Sequence, residues 1–117
     1  MVIIMLNFNK LEIKEAKRFK DRLLGLMFKK NINYGLLFKR CKSIHTFFML
    51  EEIDVIATDN DDNILKRYKN VKPWRILIAP KGTKNIYELP KGTINYYLLF
   101  CSRLYVISFF TTFSTCY

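Results

Sequence analysis

The hydrophobic and polar positions along the chain change period several times, and each change predicts an element. Residues 2–15 alternate weakly through Phe8, Leu11 and Ile13, which predicts one or two strands. Ala16, Phe19, Leu23, Leu26 and Met27 then recur at spacings of three and four, with Lys17, Lys20, Asp21 and Arg22 between them. That spacing predicts one amphipathic helix. Gly25 inside it costs about 1 kcal/mol relative to Ala, so it marks close packing or an early helix end. After a break at 31–35, Leu36-Leu37-Phe38 reads as a short buried strand, and the basic turn 39–42 leads to strands over 44–49 and 53–58. The run DNDDN at 59–63 is built from turn-forming residues, and residues 64–68 return as the second arm of a β-hairpin. Pro73-Trp74 marks a turn, 75–79 a strand, 80–84 a loop, and 86–89 a strand ended by Pro90 and Gly92. The series predicts a mainly β (α+β) domain with one short helix near its N-terminus.

The segment SIHTFFMLEEIDVIATD at 43–59 carries the most information, and it reads as one strand pair. It holds the single histidine of the chain, His45, and it sets Asp54 between Ile53 and Val55. A carboxylate in such company is costly unless paired or hydrogen-bonded, so Asp54 is expected to have a specific partner. The run Phe47-Phe48-Met49 has the rings to stack bases, as single-strand-binding surfaces do. Core is the preferred reading, because alternate residues of a strand must face inward.

Length and charge narrow the picture. The chain of 117 residues suits one domain with a single core, and half of it is hydrophobic with only four Gly and three Pro, which excludes a disordered chain. The net charge of +10 is uneven. Residues 1–42 carry eleven basic and three acidic side chains, 43–62 none and six, and 63–97 eight and one. Two basic flanks around an acidic middle recruit anions, nucleic acid or an anionic membrane surface. Fourteen of the twenty cations are Lys, the bias of an AT-rich genome, so weak and non-specific nucleic-acid binding is expected. Cys41, Cys101 and Cys116 show no CxxC spacing, so neither a disulfide framework nor a zinc knuckle is expected. Cys41 and His45, four apart, would lie about 13 Å from each other on a strand, too far to share one ion, and only a turn would bring them together. The 59–63 loop lacks the spacing, Gly and closing Glu of an EF-hand. No metal and no cofactor is expected. The segment VIIML is too short for a signal peptide, and a reducing, cytoplasmic setting fits best.

Residues 98–117 differ from all that precedes them, with no Lys, Asp, Glu, Gly or Pro. They read as a membrane anchor, a buried terminal strand, or the product of a shifted reading frame. Arg103 at the centre of an anchor costs about 2.5–3.5 kcal/mol. The composition Phe, Leu, Ser, Tyr and Cys favours the frameshift, giving a domain over 1–97 and an atypical tail over 98–117. Membrane association through that tail is a secondary expectation.

Arg22 with Gly25-Leu26-Met27, then Gly35-Leu36-Leu37-Phe38, His45-Thr46-Phe47-Phe48-Met49, Ile53-Asp54-Val55, Asp59, Lys72-Pro73-Trp74-Arg75 and Glu88-Leu89-Pro90 with Gly92-Thr93 form an ordered series. It resembles the bacterial and archaeal family called domain of unknown function 192, in its short-loop variant, over residues 13–95. The resemblance implies a compact mainly β domain, a small barrel-like antiparallel sheet with one short helix, and no established activity. Leu50-Glu51-Glu52 stands where relatives tend to have a basic residue, an aromatic and a Pro, and the family's closing Gly-Asp turn is missing.

His45, Asp54, Arg22 and Glu88 are the polar residues inside the matching motifs. If they converge, Asp54 orients His45 as a general base, or Arg22 pairs with Asp54 or binds a substrate carboxylate. The competing reading is a buried network that fixes sheet against helix. The preferred function is a non-enzymatic module that binds a small ligand or a protein partner. A small hydrolase or isomerase using His45 and Asp54 is one alternative, and nucleic-acid binding through the basic flanks is another. A pocket containing His45 would favour the enzyme, and exposed lysines beside aromatic rings would favour nucleic acid.

Overall fold

The computed structural model describes the backbone of residues 2–6, 9–94 and 106–108, and the side chains of residues 11–94. Along the described chain run β1 (Val2–Leu6), β2 (Asn9–Glu15), α1 (Phe19–Leu24), β3 (Gly35–Lys39), β4 (Ser43–His45), β5 (Ile53–Thr58), β6 (Ile64–Val71), β7 (Ile76–Ile78), β8 (Asn85–Pro90) and β9 (Val106–Ser108). Seven of the strands form one sheet in the order β6-β5-β8-β3-β2-β1-β9, and β4 pairs with β7 in a second sheet.

The chain is mainly β with one short helix. The finer expectation of a barrel-like antiparallel sheet needs two corrections. Among the described strands the large sheet stays open, with β6 and β9 at its ends. It also contains a parallel pair, Ile13 opposite Gly35 through Glu15 opposite Leu37, because β2 reaches β3 by a crossover through α1. The expected strand pair across 43–59 is likewise not formed. β4 pairs with β7, whereas β5 lies between β6 and β8.

The β5–β6 hairpin forms where the turn chemistry placed it. Asp59 accepts the main-chain N–H of Asp61 and Asn63 on Oδ1 at 2.9 and 3.0 Å, and Asn63 Nδ2 donates to Oδ2 at 3.0 Å. The helix is shorter than its periodicity suggested. Gly25 takes φ of +50° and its N–H closes onto the Asp21 carbonyl, so α1 ends after six residues. Ala16 and Leu26, which flank it, are buried, while Phe19 and Leu23 on the predicted inner face are exposed.

Both faces of the central strands β3, β5 and β8 are covered, which is why they read as apolar runs. One face gathers Ile13, Leu37, Ile56, Tyr87, Leu89 and Ile94. The other gathers Leu26, Leu36, Phe38, Met49, Ile53, Val55 and Ile86, with Ile44 and Leu77 of the small sheet packed over them. Each fully buried aliphatic side chain contributes about 1.5–3 kcal/mol. In the tail, Val106–Ser108 pairs antiparallel with Val2–Ile4. The rest of 98–117 lies outside the described residues.

Candidate functional site

Strand parity separates the four candidate residues. Val55 lies opposite Glu88, and Asp54 lies opposite Leu89. Successive side chains alternate between faces, so Asp54 points with Ile56 and Leu89 to one side, and Glu88 points with Val55 and Ile86 to the other.

Asp54 is fully buried and its partners are main-chain amides. Its Oδ1 accepts the N–H of Asn70 at 2.9 Å, and its Oδ2 accepts the N–H of Ile94 at 2.8 Å. Asn70 sits in a β-bulge, since Ile53 pairs with Val71 but Val55 pairs with Tyr68, leaving two residues opposite Asp54. The carboxylate therefore ties the bulge of β6 to the turn that follows β8. The expected partner exists, and it is neither Arg22 nor His45. The hydrogen bonds of Asp54 join strand to turn rather than sheet to helix, and the pairing with His45 as a general base is not made.

Arg22, His45 and Glu88 do come together, at a cavity of about 220 Å³ on the other side of the sheet. Its walls are α1 with the loop after it, Phe38, the segment 41–45 and Met49, and Cys41 also lines it. Gly25 is required here. A Cβ at this position would sit 3.3 Å from Glu88 Oε2 and 3.5 Å from the Phe38 ring, on a backbone with positive φ.

Glu88 is buried on the wall of this cavity. Burial pushes its carboxyl up to about 8, against the opposing effect of the Leu26 amide that donates to it. Its Oε2 has no hydrogen-bond partner. Arg22 donates from Nη1 to the Lys39 carbonyl at 2.9 Å, and its guanidinium stands 5.9 Å from the Phe38 ring centroid. The Cys41 thiol donates to the Ser43 carbonyl at 3.1 Å, and burial raises its pKa. A thiol kept protonated is a weak nucleophile. His45 is exposed at the rim, and its Nδ1 accepts the Phe47 N–H at 3.2 Å, which leaves the proton of the neutral ring on Nε2.

The set offers a neutral carboxyl with a spare oxygen, a guanidinium and an imidazole around a small void. Such groups hold a compact polar molecule by hydrogen bonds. Among the described residues no group of three or more His, Cys, Asp or Glu is placed to hold a metal ion. None of the described helices is long and apolar enough to cross a membrane. Sequence reasoning singled out Glu88, Arg22 and His45 from their motifs but passed over Cys41 as a wall of the same cavity. The signal was its place one short turn after Phe38, which itself lines the void.

Fold and site together define a small, mainly β, open-sheet domain with a cavity of mixed apolar and polar lining between its helix and its sheet. The chain belongs to the DUF192 family, described as an uncharacterized ACR, whose model matches residues 2–99. A UPF0127 protein of Pyrococcus horikoshii is 42% identical over 87 residues, covering 69% of this chain and 74% of that protein. One from Thermococcus sibiricus is 40% identical over 90 residues, covering 72% of this chain. The match spans 58% of the length of that relative and 56% of another, from Thermococcus kodakarensis. The fold is also seen in a crystal structure of a protein of unknown function from Novosphingobium aromaticivorans, with TM-score 0.73 and 18% identity, covering 92% of this chain and 83% of that one.

Proposed function

We propose that this domain is a binding module for a small polar ligand, seated in the cavity between α1 and the β3–β8 face. One observation carries the reading: Glu88 Oε2 is buried at the cavity without a hydrogen-bond partner. A buried polar atom left unpaired costs about 1–3 kcal/mol, a cost that a ligand hydrogen bond removes. The protonated carboxyl donates to a carbonyl or carboxylate oxygen, and Arg22 adds positive charge beside it. The protonated Cys41 thiol and the separation of Asp54 from His45 favour binding over catalysis.

The test is a nuclear magnetic resonance titration of the whole chain with short-chain carboxylic acids, amides and alcohols. Amide shifts confined to Arg22–Met27, Cys41–His45 and Glu88, abolished in Glu88→Leu and kept in Glu88→Gln, are the expected result. Shifts that ignore both substitutions, or that fall elsewhere, refute the proposal.

A further inference from the structure

Beside the cavity, and meeting it at His45, five rings run in unbroken contact. Phe28 stands 5.6 Å from Phe48, Phe48 meets Trp74 edge-on at 4.8 Å, Trp74 lies 5.7 Å from Phe47, and Phe47 lies 4.9 Å from His45. Three of these rings face solvent, with Phe28 61%, Phe48 46% and Trp74 56% exposed. The sequence suggested that Phe47 and Phe48 are core residues of a strand. Instead β4 stops at His45, and Phe48 lies in a turn with its ring outward.

The backbone holds these rings out at a cost. Phe28, Phe48 and Trp74 have φ of 61°, 61° and 64°, a left-handed conformation that bulky residues avoid. Such strain persists only where the surrounding structure enforces it. Here the Phe28 N–H donates to the Phe48 carbonyl at 3.0 Å, and the Trp74 N–H donates to the Thr46 carbonyl at 3.0 Å. Buried Thr46 completes the clamp, since its hydroxyl donates to the Lys72 carbonyl at 2.7 Å and accepts the Arg75 N–H at 2.8 Å. An apolar ring packed for stability alone would turn inward. Three bulky rings strained outward in one patch are suited to stacking against something planar.

Charge selects the occupant. Exposed Lys29 and Lys30 follow Phe28, and exposed Lys72 and Arg75 flank Pro73-Trp74. Of the nearby carboxylates, Glu52 is ion-paired with Lys91 at 3.3 Å, and Glu51 is held onto the Asn31 N–H at 2.8 Å. Cations interleaved with exposed rings match a polyanion whose repeating units present flat faces. We propose that the Phe28–Phe48–Trp74 surface binds single-stranded nucleic acid, its bases stacking on the three rings and its phosphates lying against Lys29, Lys30, Lys72 and Arg75. A duplex keeps its bases stacked within itself and gains only the phosphate contacts.

Trp74 is the single tryptophan of the chain, so its fluorescence reports the site directly. The full chain is titrated with oligothymidylate and oligouridylate of about ten nucleotides, with a duplex of equal length, and with a neutral oligosaccharide. Both single strands should quench Trp74 and bind at least tenfold tighter than the duplex, and the tighter of the two distinguishes RNA from DNA. Affinity should fall between about 50 and 200 mM salt while the single-strand preference stays. Phe48→Ala should weaken single-strand binding at least fivefold, as should Phe28→Ala, with an unchanged circular dichroism spectrum because both rings are exposed. Lys29→Gln with Lys30→Gln should reduce the salt dependence and leave the quenching amplitude. Glu88→Gln should change none of this, which separates the surface from the cavity. Equal affinity for duplex and single strand, stronger quenching by the oligosaccharide, or no loss in either Phe variant overturns the proposal.

Discussion

Glu88→Gln gives the sharpest test of the cavity wall. In the folded chain burial lifts the Glu88 carboxyl from 4.5 to about 8, so the native state holds its proton more tightly than the unfolded chain does. For a carboxyl moved upward, the unfolded state binds fewer protons between those two values, and stability falls as pH rises through that window. Below pH 4.5 both states are protonated, and above 8 both are ionised, so the slope is confined between. At 1.36 kcal/mol for each pH unit the displacement corresponds to about 3–5 kcal/mol lost between pH 4.5 and 8. That is a large share of the roughly 5–15 kcal/mol that holds a domain of this size. Gln keeps the volume, still accepts the Leu26 N–H, and does not ionise. Urea unfolding of both proteins at about pH 5, 7 and 9 should show wild type losing stability with pH, while the variant changes much less. The variant should be the more stable protein at pH 9. Contributions from all other groups cancel in the difference between the two curves. Parallel curves would show that Glu88 ionises as freely in the fold as outside it and that no neutral carboxyl stands at the cavity.

Other substitutions probe the remaining structure. Asp54→Ala should cost about 2–4 kcal/mol by urea denaturation, because the Asn70 and Ile94 amides lose their buried acceptor. Asp54→Asn should cost nearly as much, since its amide nitrogen would face one of those N–H groups; an unchanged midpoint in both variants would sink the tie between bulge and turn. Gly25→Ala should lower stability by about 1–3 kcal/mol through its positive φ and the approach of Cβ to Glu88, and a melting temperature equal to wild type would contradict that packing. Cys41 should react with iodoacetamide at neutral pH more slowly than free cysteine, as read by peptide mass spectrometry, because burial keeps its thiol protonated. Equal rates would mean that the thiol is neither shielded nor raised.

The sequence by itself determined what is local. The DNDDN loop at 59–63 named its hairpin because Asp and Asn side chains close turns onto their own backbone. The run Leu36–Phe38 named a buried strand and Ile53–Thr58 a further strand, and the structure makes both central because a sheet covered on both faces tolerates so many apolar residues in succession. The ordered motifs named the family, and Asp54 declared its need for a partner by its neighbours alone. Tertiary structure decided the rest. Which partner Asp54 takes, and that it faces away from Glu88, depends on the register of β5 against β8, which is set by pairing between segments distant in the chain. The six-residue limit of α1 was hinted at by Gly25, yet the exposure of Phe19 and Leu23 follows from packing on either side of the helix. The outward turn of Phe48 reversed its core reading, because the Thr46 clamp ends β4 before alternation can turn that ring inward. The pairing of β4 with β7 in a second sheet, rather than with β5, was likewise decided between segments distant in the chain. Periodicity reports which residues prefer burial, while only the assembled sheet fixes which of its two faces each one meets.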